Sequence, residues 1–204
     1  NDRTSIMQAF KRREVYATSG PRIYLRVFGG WDFNKRDLNH KRYPENGYAK
    51  GVPMGGDLPE RKGTKSPSFL IHAGSDSKGA NLDRVQVIKG WVDSQGQSFE
   101  RVYDVAWSGE DRLGAGNKLA AIGNTVNLET ATYTNSIGAP LISTLWRDPD
   151  FKPELSAFYY VRVIEIPTPR HALADALALG MDAPDRGPAV IQERAYSSPI
   201  WYTP

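Results

Sequence analysis

The sequence predicts a mainly β fold: a β-sandwich of about seven strands, Ig-like, with long loops and one preceding helix. Three observations carry this. Short stretches of alternating apolar and polar residues recur between turn signals along the chain. Aromatic residues make up 11%, with five Trp and ten Tyr, and such rings suit a pleated, half-buried surface. The one helical pattern near the start stands outside the strand pattern and reads as the end of something else.

Taken in order, Asp2 to Arg13 predicts a helix, with Asp2 as its N-cap. Ile6, Met7, Ala9 and Phe10 form an apolar stripe at helical spacing. Lys11, Arg12 and Arg13 then meet the negative end of the helix dipole. Ser19-Gly20-Pro21 breaks the chain. Ile23, Leu25 and Val27 alternate with Arg22, Tyr24 and Arg26 as a half-buried strand. Gly29 to Lys65 has little periodicity and reads as a long loop, a length that points to function or to packing on another element.

Ser68 to Ala73 and Leu82 to Trp91 read as strands, the second with Val85, Val87 and Lys89 on one face. Asp93-Ser94-Gln95-Gly96 is a hairpin turn. Ser98 to Trp107 returns, with Phe99, Val102, Val105 and Trp107 as core candidates, and Gly109 to Asn117 is loop. Thr125 to Thr134 is rich in Thr and reads as a strand, and Arg147 to Pro153 as a polar turn. Ala157 to Ile166 is the clearest strand, with Tyr159, Val161, Val163 and Glu165 on one face, ended by Pro167 and Pro169. Ala172 to Leu179 is a short helix closed by Gly180. Ala195 to Tyr202 is the last strand, and Pro199 requires an edge or a bulge there.

Composition narrows the function classes. The 204 residues suffice for one good-sized domain, or a domain plus part of another. A net charge of +3, from 26 basic and 23 acidic residues, is spread along the chain, so no clustered basic face for nucleic acid is expected. No apolar run approaches the roughly 20 residues of a membrane span. The absence of cysteine excludes disulfides, thiolate metal sites and a Cys nucleophile. It leaves the compartment open, with a periplasmic or secreted setting slightly favoured. A first residue of Asn1 rather than Met suggests a truncated or processed product.

Chemistry-bearing motifs are sparse. His40, His72 and His171 are scattered, with no His-x-His or His-x-x-x-His spacing, so no metal site is expected in this chain. Asp148-Pro149-Asp150 and Asp76 with Ser77 offer oxygen ligands, but without EF-hand spacing they read as turns. No Gly-x-Ser-x-Gly elbow occurs, and Gly29-Gly30 and Gly55-Gly56 precede no predicted helix that could cradle phosphate.

Seven phrases in order resemble one family. They are RREVYATSGPR (Arg12 to Arg22), FGGWDF (Phe28 to Phe33), GVPMGG (Gly51 to Gly56), GANLDRVQ (Gly79 to Gln86), YDVAWS (Tyr103 to Ser108), AFYYVRV (Ala157 to Val163) and QERAYSSPIWY (Gln192 to Tyr202). Together they resemble the C-terminal portion of the family catalogued as domain of unknown function 3604. That family is similar to the polymerase-and-histidinol-phosphatase superfamily of metal-dependent hydrolases, whose α/β barrel holds divalent metal ions in a cluster of His, Asp and Glu. The resemblance implies that residues 1–21 are the last helix and turn of a truncated barrel and that residues 22–204 are an appended β-sandwich. The metal ligands, a late Asp-x-His included, would fall before Asn1. The barrel part of the same protein is then the expected partner, and a small-molecule substrate the expected ligand.

On this reading Arg22, Trp31 and Asp32 are the candidate substrate-binding residues, because their loops follow the last barrel helix and reach toward the barrel mouth. The planar fork of Arg22 suits phosphate or carboxylate. The competing expectations are that Arg22 and Arg26 line an exposed strand face and that Trp31 is an interface residue. The leading functional expectation is a non-catalytic C-terminal region of a bacterial, phosphoesterase-like hydrolase that shapes the barrel's substrate cleft. The alternatives are a free-standing carbohydrate- or protein-binding module, and an enzyme completed by a separate chain.

Overall fold

The computed structural model describes residues 2–39, 41–61, 63–182 and 187–204. In chain order the elements are α1 (Arg3–Lys11), β1 (Tyr16–Thr18), β2 (Tyr24–Gly30), α2 (Lys35–Leu38), α3 (Tyr43–Lys50), β3 (Val52–Pro53), β4 (Ser68–Gly74), β5 (Leu82–Val92), β6 (Ser98–Trp107), a single 3-10 turn (Ala115–Asn117), β7 (Leu141–Arg147), β8 (Ala157–Glu165), β9 (Thr168–Pro169), α4 (His171–Ala178), β10 (Val190–Ile191), β11 (Arg194–Ser197) and β12 (Ile200–Tyr202).

Two antiparallel sheets face each other as a β-sandwich. The larger runs β1-β11-β8-β5-β6, with β12 also beside β8, and the smaller runs β3-β2-β4-β7. β9 and β10 form a separate ribbon. The expected alternation builds the core. Leu25 and Val27 on β2, with Ile23 just before it, pack with Phe69, Ile71 and Ala73 of β4 against Val85 and Val87 of β5 and Tyr159, Val161 and Val163 of β8. These positions lose nearly all contact with water, which supplies the main folding force.

The expected loop from Gly29 to Lys65 is instead partly helical. Asn34 and Asp37 make a reciprocal capping box that starts α2. Asp37 is buried, with Lys50 Nζ at 2.6 Å and Asn46 Nδ2 at 3.0 Å. Tyr43 and Phe33 then cover Phe28 and Leu70, so the centre of the smaller sheet is buried on its outer face as well. Gly47 lets α3 approach, because a Cβ there would sit 2.5 Å from the Phe28 ring. Gly47 and Pro44 within α3 hide its helical period from the sequence.

Two further expectations are corrected. Thr125 to Thr134 is not a strand beyond one bridge between Asn127 and Thr132. Its polar side chains bond the local backbone, as Asn127 Oδ1 does with the Glu129 and Thr130 N–H groups, and so compete with a ladder. The smaller sheet takes β7 as its outer strand instead, paired along its length with β4. On β6, Phe99 and Val102 are exposed rather than core: Phe99 lies at the hairpin end of an edge strand, which overhangs the smaller sheet, and Val102 pairs with Ile88 on the outer face, opposite Arg101 and Tyr103. Val105 does pack on the core.

The last strand divides at Pro199 as a bulge. The four steps from Tyr196 to Ile200 oppose three from Arg162 to Tyr159 on β8. The predicted N-cap also forms: the Asp2 carboxylate accepts the Ser5 N–H at 2.8 Å. The α1 stripe stays in water, with Ile6, Met7 and Phe10 53%, 54% and 61% exposed. β1 joins the larger sheet through β11.

Candidate functional site

Lys89 and Trp91 on β5, Arg101 and Tyr103 on β6 and Ala157 on β8 share the inner face of the larger sheet where it overhangs. The segment after β7 folds across them. Asp150 from that segment completes a cavity of about 250 Å³.

A buried charge network forms its floor. Lys89 Nζ lies 2.6 Å from Asp148 Oδ2 and donates to the Asp150 carbonyl at 2.8 Å. Tyr159 Oη donates to Asp148 Oδ2 at 2.7 Å, and the Asp150 N–H donates to Asp148 Oδ1 at 2.9 Å. Lys89 and Asp148 are 4% and 1% exposed, so each charge depends on the other. On the solvent side, Asp150 Oδ2 accepts from Arg101 Nη1 at 2.7 Å and from Tyr103 Oη at 2.8 Å. Burial, followed by the Asp148 charge, pushes the Tyr159 phenol well up. Burial and the bond to Asp150 do the same for Tyr103. Both phenols therefore act as hydrogen-bond donors at neutral pH.

An aromatic trough of about 500 Å³ adjoins this cavity. Trp91 stacks on Phe99 at 5.5 Å, and Phe158 meets Trp201 at 5.3 Å. Phe99 and Trp201 remain 42% and 38% exposed. Flat aromatic faces beside charged hydrogen-bonding groups can stack on and orient a ring-shaped ligand.

Arg22, Trp31 and Asp32 do not converge. Arg22 precedes β2 and is exposed, and its backbone N–H donates to Asp76 Oδ2 at 2.8 Å. Asp32 lies beyond the other end of β2, roughly 30 Å away by strand rise. Lys65 Nζ sits 2.5 Å from Asp32 Oδ1, and this bond holds the Asp32 carboxyl below its usual range. Trp31 is buried, donates from Nε1 to the Pro59 carbonyl at 3.0 Å, and packs on Phe151 at the cavity wall.

The turn acids are engaged locally. Asp76 accepts the Arg22 and Lys78 N–H groups, and Asp148 and Asp150 are held as above. His72 Nε2 lies 3.1 Å from the Leu38 carbonyl, its ring 3.8 Å from that of Tyr43, and burial lowers its pKa. His171 opens α4, and His40 lies outside the described residues. Among the described residues no three His, Asp or Glu side chains come together as metal ligands.

Asp148 and Asp150 stand in the sequence as a turn with oxygen ligands on offer, and nothing local marks Arg101 or Tyr103 as their partners. The available signal was Lys89 at an inward position of an apolar strand, where a charge needs a buried partner. No curated protein and no solved structure matches the chain. A family profile described as "Protein of unknown function (DUF3604)" matches residues 1–204, the whole chain, and the protein belongs to that family.

Proposed function

We propose that this β-sandwich is a non-catalytic region of a metal-dependent, phosphoesterase-like hydrolase, packing on the barrel part of the same protein and shaping its substrate cleft. The observation that carries this reading is α1. No residue of α1 is buried, its apolar stripe faces water, and short isolated helices are marginal without a packed face. A groove of about 490 Å³, lined by polar groups such as Arg12, Glu14, Tyr24 and Tyr48, separates α1 from the smaller sheet. The helix is thus presented outward for a second body to cover.

Two deeply buried acids among the described residues are already paired and so poorly suited to a divalent ion. Asp148 is neutralised by Lys89, and the equally buried Asp83 by Arg112 Nη2 at 2.6 Å and Arg84 Nε at 3.0 Å. Divalent ions would be held by barrel residues, and this region would contribute shape and substrate-facing loops, with Arg22 as an anion-binding candidate. The test is the divalent metal content and phosphoesterase turnover of this 204-residue chain alone. Neither is expected. Stoichiometric metal or turnover in the isolated chain would overturn the proposal.

The aromatic trough favours a second reading, a carbohydrate-binding surface. Phe99 and Trp201 are exposed in a trough that shares Trp91 and Ala157 with the cavity of Arg101 and Asp150, and exposed aromatic faces suit the apolar face of a sugar. Oligosaccharides should then quench or shift Trp fluorescence in the native chain and lose that effect in Trp201→Ala. No response across a glycan panel eliminates this reading.

A further inference from the structure

The inward positions of β8 end at Glu165, at the end of the sandwich opposite the hairpin overhang. Glu165 is 1% exposed, and its Oε1 is buried with no hydrogen-bond partner among the described residues. The other deeply buried carboxylates all have a cation 2.6 Å away: Asp37 has Lys50, Asp83 has Arg112 and Asp148 has Lys89. A buried carboxyl left unpaired destabilises a fold by its lost solvation.

Glu165 floors a cavity of about 330 Å³. Glu193 enters from the segment before β11, its Oε2 bonded to the Ser19 hydroxyl. His171 of α4 and Tyr133 of the connection before β7 also face in. Asp76, behind the wall, is bound by the Arg22 and Lys78 N–H groups and acts on Glu165 through its charge. Burial first, then Glu193 and Asp76, raise the Glu165 carboxyl to about 8. The remaining walls include Pro21, Ala80, Ala131 and Ala174, which are apolar.

We propose that this cavity is a binding site for an organic cation, an ammonium or guanidinium on an aliphatic stem, whose N–H groups pair with Glu165 and Glu193. A hard divalent ion fits less well: it seeks about six oxygens at short range, and no such cluster converges here. The cavity has room for methylenes, and its apolar walls suit the stem of an arginine-like group. Guanidinium supplies the donors that a carboxylate accepts best. Occupancy of this cavity does not depend on whether α1 docks on a barrel.

The probe is agmatine, titrated into the native chain at pH 8 and followed through the amide NMR signals of Gly79, Ala80 and Tyr133. Saturable shifts are expected, weakened about tenfold in Glu165→Gln and less in Glu193→Gln. Binding should also weaken at pH 5, where Glu165 is protonated. Ala174→Trp, at an exposed position on α4, should close the mouth and abolish the shifts while leaving the carboxyls in place. A short capped arginine peptide separates the sources: a site for a side chain takes both probes, and a site for a free amine takes agmatine alone. The inference is overturned if agmatine gives no saturable shift beyond a sodium chloride control. It is equally overturned if calcium chloride shifts these signals in its place, or if Glu165→Gln and Ala174→Trp both bind like the native chain.

Discussion

Tyr159 and Glu165 point inward from the same strand, six residues and roughly 20 Å apart by strand rise, and their surroundings differ in one respect. At Tyr159 the buried acid is Asp148, and Lys89 neutralises it at 2.6 Å while the tyrosine hydroxyl takes the same oxygen. At Glu165 the buried acid has like charges nearby and no paired cation among the described residues. The first arrangement is self-sufficient and holds the segment after β7 across the overhang. The second is incomplete without a proton or a bound cation. Buried charge at an inward strand position is thus structural at one end of the sandwich and ligand-seeking at the other.

The sharpest way to break this comparison is to remove the partner at the self-sufficient end. Asp148→Ala leaves Lys89 buried and unpaired, and urea unfolding should show a loss of about 3–5 kcal/mol. Replacing both partners, Lys89→Met with Asp148→Leu, should recover most of that loss, because an apolar pair leaves no orphaned charge. At the other end the expectation reverses. The fold raises the Glu165 pKa from 4.5 to about 8, so it favours the protonated form. The folded state then holds more protons than the unfolded one between those values. The Glu165 contribution is fully present below about pH 4.5 and is lost as pH rises toward 8. Glu165→Gln should match the native chain near pH 5 and exceed it at pH 8 by on the order of 3 kcal/mol, measured by the same unfolding series.

Smaller changes sharpen the picture at the overhang. Gly90 faces the Phe158 ring, and a Cβ there would sit 2.3 Å from it. Gly90→Ala should destabilise by about 1–3 kcal/mol and disturb the Phe158–Trp201 pair in near-ultraviolet circular dichroism. Arg101→Ala removes an ion pair whose arginine is 57% exposed, and the loss should stay below about 1 kcal/mol and shrink with added salt.

Much of the sandwich was legible because period-two alternation is a local signal. Ile23, Leu25 and Val27, and the run from Ala157 to Ile166, stand where alternation puts them. Thr125 to Thr134 misled because β-branched Thr suits strands, yet its hydroxyls and the Asn amides bond nearer backbone. β7 went unread, although Ile142 does turn toward the core, because the polar turn from Arg147 onward masks its end. The helices between β2 and β3 were hidden by Pro44 and Gly47, and the second is explained only by the Phe28 ring it must clear. Of the site, Lys89 and Glu165 were visible as charges on inward faces. Whether each finds a counter-charge depends on segments far away in sequence, and no local pattern reports that.

Amide hydrogen exchange on the isolated 204-residue chain tests the proposed docking role most directly. The α1 amides around Ile6, Met7 and Phe10 should exchange fast while β5 and β8 stay protected, and adding the barrel region should slow α1 alone. Protection of α1 in the lone monomer equal to that of β8 would contradict the account.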